Sequence, residues 1–165
     1  MGLRASIIQL DQEYLEKIII NQTEFLNIDP SENIYKSIDL DKSWDGIIFL
    51  LSNGGTYRDS KKVVTNISRI ILSGQNLTEL DNYGITASYL TSKQVKQCIN
   101  ELIKITEKKL YSRFDSKLMS DRGVYDFDSF IMNPDFKHFF NYYQIVKEFY
   151  NDAAKKGKAT LTYIS

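Results

Sequence analysis

The segment from residue 40 to residue 55 constrains the fold more than any other part of the chain. It reads LDKSWDGIIFLLSNGG. Asp41 is a residue type that caps helices, and Asn53 or the glycine after it can end a helix in the left-handed conformation. At about 100° per residue, the side chains from Trp44 to Leu51 point in almost every direction around the axis. We therefore expect a short helix that is buried at the centre of the protein.

Length and charge set the broad class of the protein. A chain of 165 residues can bury roughly 70% of its unfolded surface in one core, so a single domain over residues 1–165 is predicted. The 21 basic residues balance the 21 acidic ones. Nucleic acid and anionic membranes attract basic surfaces, so we expect neither as a partner. No apolar run approaches the ~20 residues of a membrane span.

Cys98 and the N-terminal residues indicate the compartment. As the only cysteine, Cys98 cannot form an internal disulfide, which fits a reducing environment. The first residues carry one basic side chain, Arg4, and then a short alternating segment in place of a long apolar stretch with a cleavage site. We expect no signal peptide and a cytoplasmic protein.

Three segments are predicted to be strands, at residues 3–10, 85–90 and 159–164. Apolar residues lie on both faces of the first segment, which is typical of a buried strand. Over the whole chain, about twice as much helix as strand is predicted. This order predicts the α/β or α+β class, with a small, mostly buried sheet covered by helices.

Apolar residues at helical spacing predict the helices between these strands. Asp11 is expected to cap the first helix, and the capping box from Thr91 to Gln94 opens another that extends to Leu110. A helical stripe over residues 63–71 can end at Gly74. The other segments are residues 34–40, which lead into the central helix, and Arg113-Phe114-Asp115, which introduces a helical turn ending near Gly123.

The last helix is predicted over residues 134–156. Asn133 and Pro134 have the character of a helix start, and Lys155-Lys156-Gly157 that of a helix end. Its apolar residues cover an arc of roughly 200° or more, wider than the stripe of an ordinary surface helix. The helix is therefore expected to contact two neighbours, or one neighbour and a second subunit.

Four groups of short stretches, in this order and spacing, carry a resemblance to a known family. They are LDKSWD with FLL in residues 40–51, YG with YLT in 83–91, RFD with Met119 and VY in 113–125, and FY with AA and Gly157 in 149–157. On these residues the chain resembles the YfbM-like family of uncharacterised bacterial proteins, a domain of unknown function. The resemblance implies a three-layer α/β domain with a mixed sheet. It implies no activity, because the family has none established.

The chain departs from the family pattern at three positions. The family often has histidines where this chain has Asp45 and Ile48, and a proline where it has Ile85. Any chemistry that those histidines perform in relatives does not transfer to this chain.

Side chains at element ends and turns form the candidate binding pocket. Such positions let distant parts of a chain converge on one polar-rimmed site. The alternative is structural: Arg113 and Asp115 form an ion pair, and the tyrosines tether loops through their hydroxyl groups. The candidate residues are Trp44, Asp45, Tyr83, Tyr89, Arg113, Asp115 and Tyr125.

For the other potentially reactive side chains, the sequence favours a structural role over a catalytic one. Asp41 and Asp45 are four residues apart and could act as an acid and base pair or hold a cation with Asp39, but Asp41 can simply cap while Asp45 bonds a neighbouring loop. His138 is the only histidine, so neither a histidine metal cluster nor a serine triad with a spare base can form. We predict no catalytic residue, metal site or cofactor.

These observations leave three functional hypotheses. The first is a non-enzymatic cytoplasmic binding module with a protein partner, or one that associates with itself through the 134–156 helix. The second is a small enzyme with a pocket near Trp44, Asp45, Arg113 and Tyr125. The third is an immunity-type protein that neutralises a bacterial toxin, which small size and the missing chemistry suggest.

Overall fold

Four antiparallel strands form one sheet in the order β2-β1-β4-β3. The structure is a computed structural model that describes residues 2–29, 32, 34–59, 67–129 and 134–165. The strands are β1 (Ala5–Leu10), β2 (Ser37–Asp41), β3 (Thr86–Leu90) and β4 (Ala159–Ile164). The chain thus has the predicted α/β class, with its first and last strands paired at the middle of the sheet.

Six α-helices are present in the described residues. They are α1 (Gln12–Ile20), α2 (Trp44–Ser52), α3 (Ser92–Leu102), α4 (Glu107–Tyr111), α5 (Ser116–Asp121) and α6 (Phe136–Lys155). Short 3-10 helices lie at Gln22–Asn27, Ser68–Ile70, Thr78–Tyr83 and Phe127–Ser129.

Alternate residues of the strands divide the core into two parts, one on each face of the sheet. Ile8 and Leu10 of β1 pack with α1 and the first and third 3-10 helices, whereas Ala5 and Ile7 pack against the layer of α2, α3 and α6. Leu40 of β2 packs in the same part of the core as α2, α3 and α6. Helices therefore cover both faces, which confirms the three-layer architecture.

The central helix has the predicted burial. Every residue from Trp44 to Leu51 is buried, and Asn53 ends α2 in the left-handed conformation with a φ of 57°. The N-terminal cap prediction was wrong: Asp41 is the last residue of β2, and Ser43 occupies the cap position. Residues 37–41 alternate between polar and apolar side chains, and this edge strand contacts α6.

The sheet also differs from the one implied by the resemblance. All three strand pairings are antiparallel, so the expectation of a mixed sheet was wrong. The segment between β1 and β2 adds the Gln22–Asn27 helix to α1.

Several helices begin or end at residues other than the predicted ones. The capping box at Thr91 is confirmed, but α3 ends at Leu102, and Leu110 lies on the separate helix α4. Asp135 caps α6 by accepting a hydrogen bond from His138 N at 2.9 Å. The predicted cap at Asn133 lies outside the described residues, as do residues 63–66 of the predicted 63–71 helix.

The α6 helix has the several neighbours that its wide apolar arc predicts. It contacts α2, α3, α4 and β2. Its inner residues, including Phe139, Tyr143 and Tyr150, are buried. None of the helices in the described part of the chain has the length and apolar character needed to cross a bilayer.

Candidate functional site

Asp45 is a buried carboxylate at the first turn of α2, with one loop bonded to each of its oxygens. Tyr57 N donates to Asp45 Oδ1 at 2.6 Å, and Tyr125 N donates to Asp45 Oδ2 at 2.8 Å. The two donors belong to the segments after α2 and after α5. Asp45 therefore fastens two distant loops to the start of the central helix.

Trp44 joins the same loops through its ring. The indole stacks on Tyr125 with centroids 5.2 Å apart and meets the edge of Tyr57 at 5.4 Å. Trp44 Nε1 donates to Leu3 O at 3.4 Å, and Leu3 N donates to the Tyr125 hydroxyl. The N-terminal strand is thus attached to the same aromatic cluster of Trp44, Tyr57 and Tyr125.

Burial dominates the electrostatics of this site. It raises the pKa of Asp45 to about 6, because desolvation outweighs the two amide hydrogen bonds and the nearby Arg58 guanidinium, which all lower the pKa. Both Trp44 and Asp45 are almost completely inaccessible to solvent. This arrangement suits a structural role for Asp45, since both of its carboxylate oxygens already accept backbone hydrogen bonds.

Arg113 and Asp115 have separate partners and form no ion pair with each other within the described residues. Arg113 Nη1 donates to Leu50 O at 2.8 Å and to Leu51 O at 3.1 Å. Its positive charge thus caps the C-terminal end of α2, where the carbonyl groups lack helical donors. Asp115 accepts from Leu118 N at 2.9 Å and caps α5.

The two remaining candidate residues lie apart from the Trp44 cluster. Tyr89 belongs to the core on the α1 face of the sheet, whereas Trp44 belongs to the core on the opposite face. Tyr83 is exposed at the end of the Thr78–Tyr83 helix. The structure therefore brings Trp44, Asp45 and Tyr125 together, places Arg113 at the other end of α2, and does not add Tyr83 or Tyr89.

A serine and histidine pair was missed by the sequence analysis. Ser43 Oγ and His138 Nε2 are 2.8 Å apart, although the residues are 95 positions apart in sequence. The sole histidine carried no local signal of such a partner. Ser43 is only 1% exposed, so this bond joins the start of α2 to α6 and presents no hydroxyl to a substrate.

The other reactive groups also have structural settings. Asp41 Oδ1 lies 3.5 Å from Arg4 Nε, so its carboxylate faces Arg4 while Asp45 faces the two loops. Burial raises the pKa of the Cys98 thiol to about 11 and keeps it protonated at neutral pH. Over the described ranges, no three His, Cys, Asp or Glu side chains are grouped to hold a metal ion.

An apolar groove lies beside α6. A cavity of about 350 Å³ lies between α6 and the segment from Ile99 to Glu107, with Phe140 and Tyr143 among its lining residues. Glu107 also lines the adjoining hollow, where Tyr111 meets the edge of Phe136 at a centroid distance of 5.1 Å. We call the two together the α6 groove.

The fold and its fastened central helix define a small three-layer α/β domain. The chain belongs to the family described as a domain of unknown function, DUF1877, whose family model matches residues 1–163. This finding confirms the family resemblance drawn from the sequence.

A solved structure supports the same fold. The crystal structure of YfbM from Escherichia coli, titled a protein of unknown function, is similar with a TM-score of 0.77 and 16% sequence identity. The similarity covers 98% of this chain and 99% of that chain. At this level of identity the likeness establishes the fold alone. No curated protein matches the chain at a significant level.

Proposed function

We propose that the protein is a non-enzymatic cytoplasmic binding module that takes a protein partner in the α6 groove. The observation that supports this most is a pair of large apolar side chains exposed at the groove. Ile103 is 58% exposed and Tyr111 is 64% exposed. Large apolar side chains that stand together at a surface cavity mark an interaction site more often than scattered ones do.

The composition of the groove supports a protein as the partner. Phe136, Phe140 and Tyr143 supply an aromatic interior, and aromatic residues are enriched at the centres of protein interfaces. Charges of both signs, Glu107 and Lys147, stand among the lining residues. A polar rim with mixed charge fits a protein surface better than a strongly charged ligand.

The buried Trp44 region gives less support to the enzyme hypothesis. Asp45 and Ser43 are closed off from solvent, and their polar atoms bond backbone amides and His138. A catalytic acid, base or nucleophile must come within hydrogen-bond distance of its substrate. We therefore favour the groove over this region as the functional surface.

The test is affinity capture from the native cell with four forms of the full chain. Wild type is compared with Ile103→Glu and Tyr111→Asp, which place a charge in the α6 groove. Ile20→Glu on α1 is the matched control, because Ile20 is 86% exposed and lies across the sheet. Thermal melts verify that all four are folded, and sedimentation measures self-association.

The proposal expects a protein partner, or a second copy, to be retained by wild type and by Ile20→Glu and lost by both groove variants. A toxin as the captured partner would identify the immunity-type role. Equal capture by all four forms would overturn the groove as the binding surface. Capture that is lost only with Ile20→Glu would move the interface to the α1 face.

A further inference from the structure

The rim of the α6 groove carries four charged side chains, two of each sign. They are Glu107 and Lys108 on α4, and Lys147 and Glu148 on α6. Each of these two walls of the groove thus presents one carboxylate and one ammonium group. None of the four belongs to an ion pair within the described ranges of the chain. All four charges are therefore available to pair with charges on another molecule.

A second copy of the chain matches this pattern of charges. In a dimer with two-fold symmetry the same surface patch meets itself, so the patch must be complementary to its own charges. A rim of one sign would repel its copy, whereas a rim with both signs on each wall can place carboxylates opposite ammonium groups. The net charge of the chain is zero, so two copies have no overall charge repulsion to overcome.

The apolar side chains of the groove combine a projection with a hollow. Tyr111 is 64% exposed and lines the adjoining hollow, but it does not line the cavity beside it. An apolar cavity of about 150 Å³ can hold a benzene ring. The cavity of about 350 Å³ between α6 and the segment from Ile99 to Glu107 therefore has room for the side chain of a tyrosine from another copy.

We propose that the occupant of the α6 groove is a second copy of this chain, related to the first by a two-fold axis. This inference rests on the binding function proposed for the groove and names its partner. Tyr111 of each copy enters the cavity of the other, and the carboxylates of each rim meet the ammonium groups of the other rim. Such a dimer removes the exposed side chains of Ile103 and Tyr111 from water.

Charge reversal at the rim tests this arrangement in the full chain, whichever of the charges meet across the axis. The first variant, Glu107→Lys with Glu148→Lys, has a rim of four ammonium groups. The second variant, Lys108→Glu with Lys147→Glu, has a rim of four carboxylates. Two copies of the same variant therefore bring like charges together, whereas one copy of each brings opposite charges together.

The matched control changes the net charge by the same amount away from the groove. It is Glu13→Lys with Glu16→Lys, on the exposed face of α1. Sedimentation equilibrium gives the dissociation constant of wild type, of the control, of each rim variant alone and of the two rim variants mixed in equal amounts. Thermal melts verify that all forms are folded, and native mass spectrometry identifies dimers that contain one chain of each rim variant.

Wild type and the α1 control are expected to form dimers of equal affinity. Each rim variant alone should have a dissociation constant at least about tenfold higher, because the charges that face each other are alike. The equal mixture should recover the affinity of wild type, with the mixed dimer as its main species. This recovery separates charge pairing at the groove from a general effect of the substitutions.

A wild-type chain that stays monomeric at about 100 μM would overturn the second copy as the occupant. Equal affinity of all forms, or a mixture that associates as weakly as its two components, would overturn it as well. If a monomeric wild type retains a different protein that Ile103→Glu and Tyr111→Asp release, the groove remains the binding surface and only the present inference fails. The absence of both self-association and capture would overturn the inference and the proposed function together.

Discussion

Gly46 of α2 and Phe139 of α6 lie so close that a Cβ atom on Gly46 would be 2.1 Å from Phe139 Cε1. Both residues are buried. Real Cβ atoms do not approach a neighbour so closely, so the contact between the two helices depends on glycine at this position. The functional interpretation depends on this packing too, because α6 carries one wall of the groove.

Gly46→Ala is expected to lower the free energy of unfolding by about 1–3 kcal/mol, through overpacking against the Phe139 ring. Helix propensity alone predicts the opposite sign, since alanine is favoured over glycine inside a helix by up to about 1 kcal/mol. Urea denaturation measures the change. In the double-mutant cycle, Phe139→Leu should cost less in the Gly46→Ala background than in wild type. Additive costs would contradict the steric explanation.

Arg113→Met is expected to destabilise the protein by about 1–3 kcal/mol, because it removes the donor to the Leu50 and Leu51 carbonyl groups at the end of α2. The matched control is Arg122→Met, at an exposed position after α5, which should change stability by less than about 0.5 kcal/mol. Chemical denaturation of both variants makes the comparison. Equal effects would mean that the Arg113 cap contributes nothing specific to stability.

Two buried tyrosines on α6 make hydrogen bonds of different length. The Tyr150 hydroxyl donates to Ile70 O at 2.6 Å and lies 3.2 Å from Thr160 Oγ1, whereas the Tyr143 hydroxyl donates to Leu102 O at 3.3 Å. Tyr150→Phe should cost about 1–3 kcal/mol by leaving buried acceptors without a donor, and Tyr143→Phe should cost less. Thermal denaturation of both variants tests this order. A larger loss for Tyr143→Phe would be inconsistent with these contacts.

The features predicted from the sequence depend mainly on neighbouring residues. The apolar residues around the whole circumference of α2 predict its burial, and the capping box at Thr91 predicts the start of α3. The edge strand β2 was missed because an aspartate before a helix was interpreted as its cap. Asp41 instead ends the strand with a φ of 48°, a conformation that aspartate adopts more readily than most residues.

The candidate site could be predicted only in part. Trp44, Asp45 and Tyr125 do come together, because element ends meet at the start of α2. The bonds of Arg113 to α2 and of Ser43 to His138 join residues more than 60 positions apart. Such contacts depend on how the helices pack on the sheet, and no local spacing encodes them.

The pKa of Asp45 sets the direction of a pH effect on stability. Its folded value of about 6 is above the ordinary value of 3.8. Between these pH values the folded state holds a proton that the unfolded chain releases. The contribution of Asp45 to stability therefore falls as the pH rises from about 4 to about 6, by up to about 3 kcal/mol, and is constant at higher pH.

The role of Asp45 as a buried fastener is tested most directly by the free energy of unfolding of wild type and Asp45→Asn, measured by urea denaturation from pH 4 to pH 8. The substitution removes the titration, and its lost hydrogen bond costs the same at every pH. We expect the advantage of wild type over Asp45→Asn to be largest near pH 4 and to shrink up to about pH 6. A difference that stays constant across this range, or grows with rising pH, would contradict the burial of this carboxylate between the two loops.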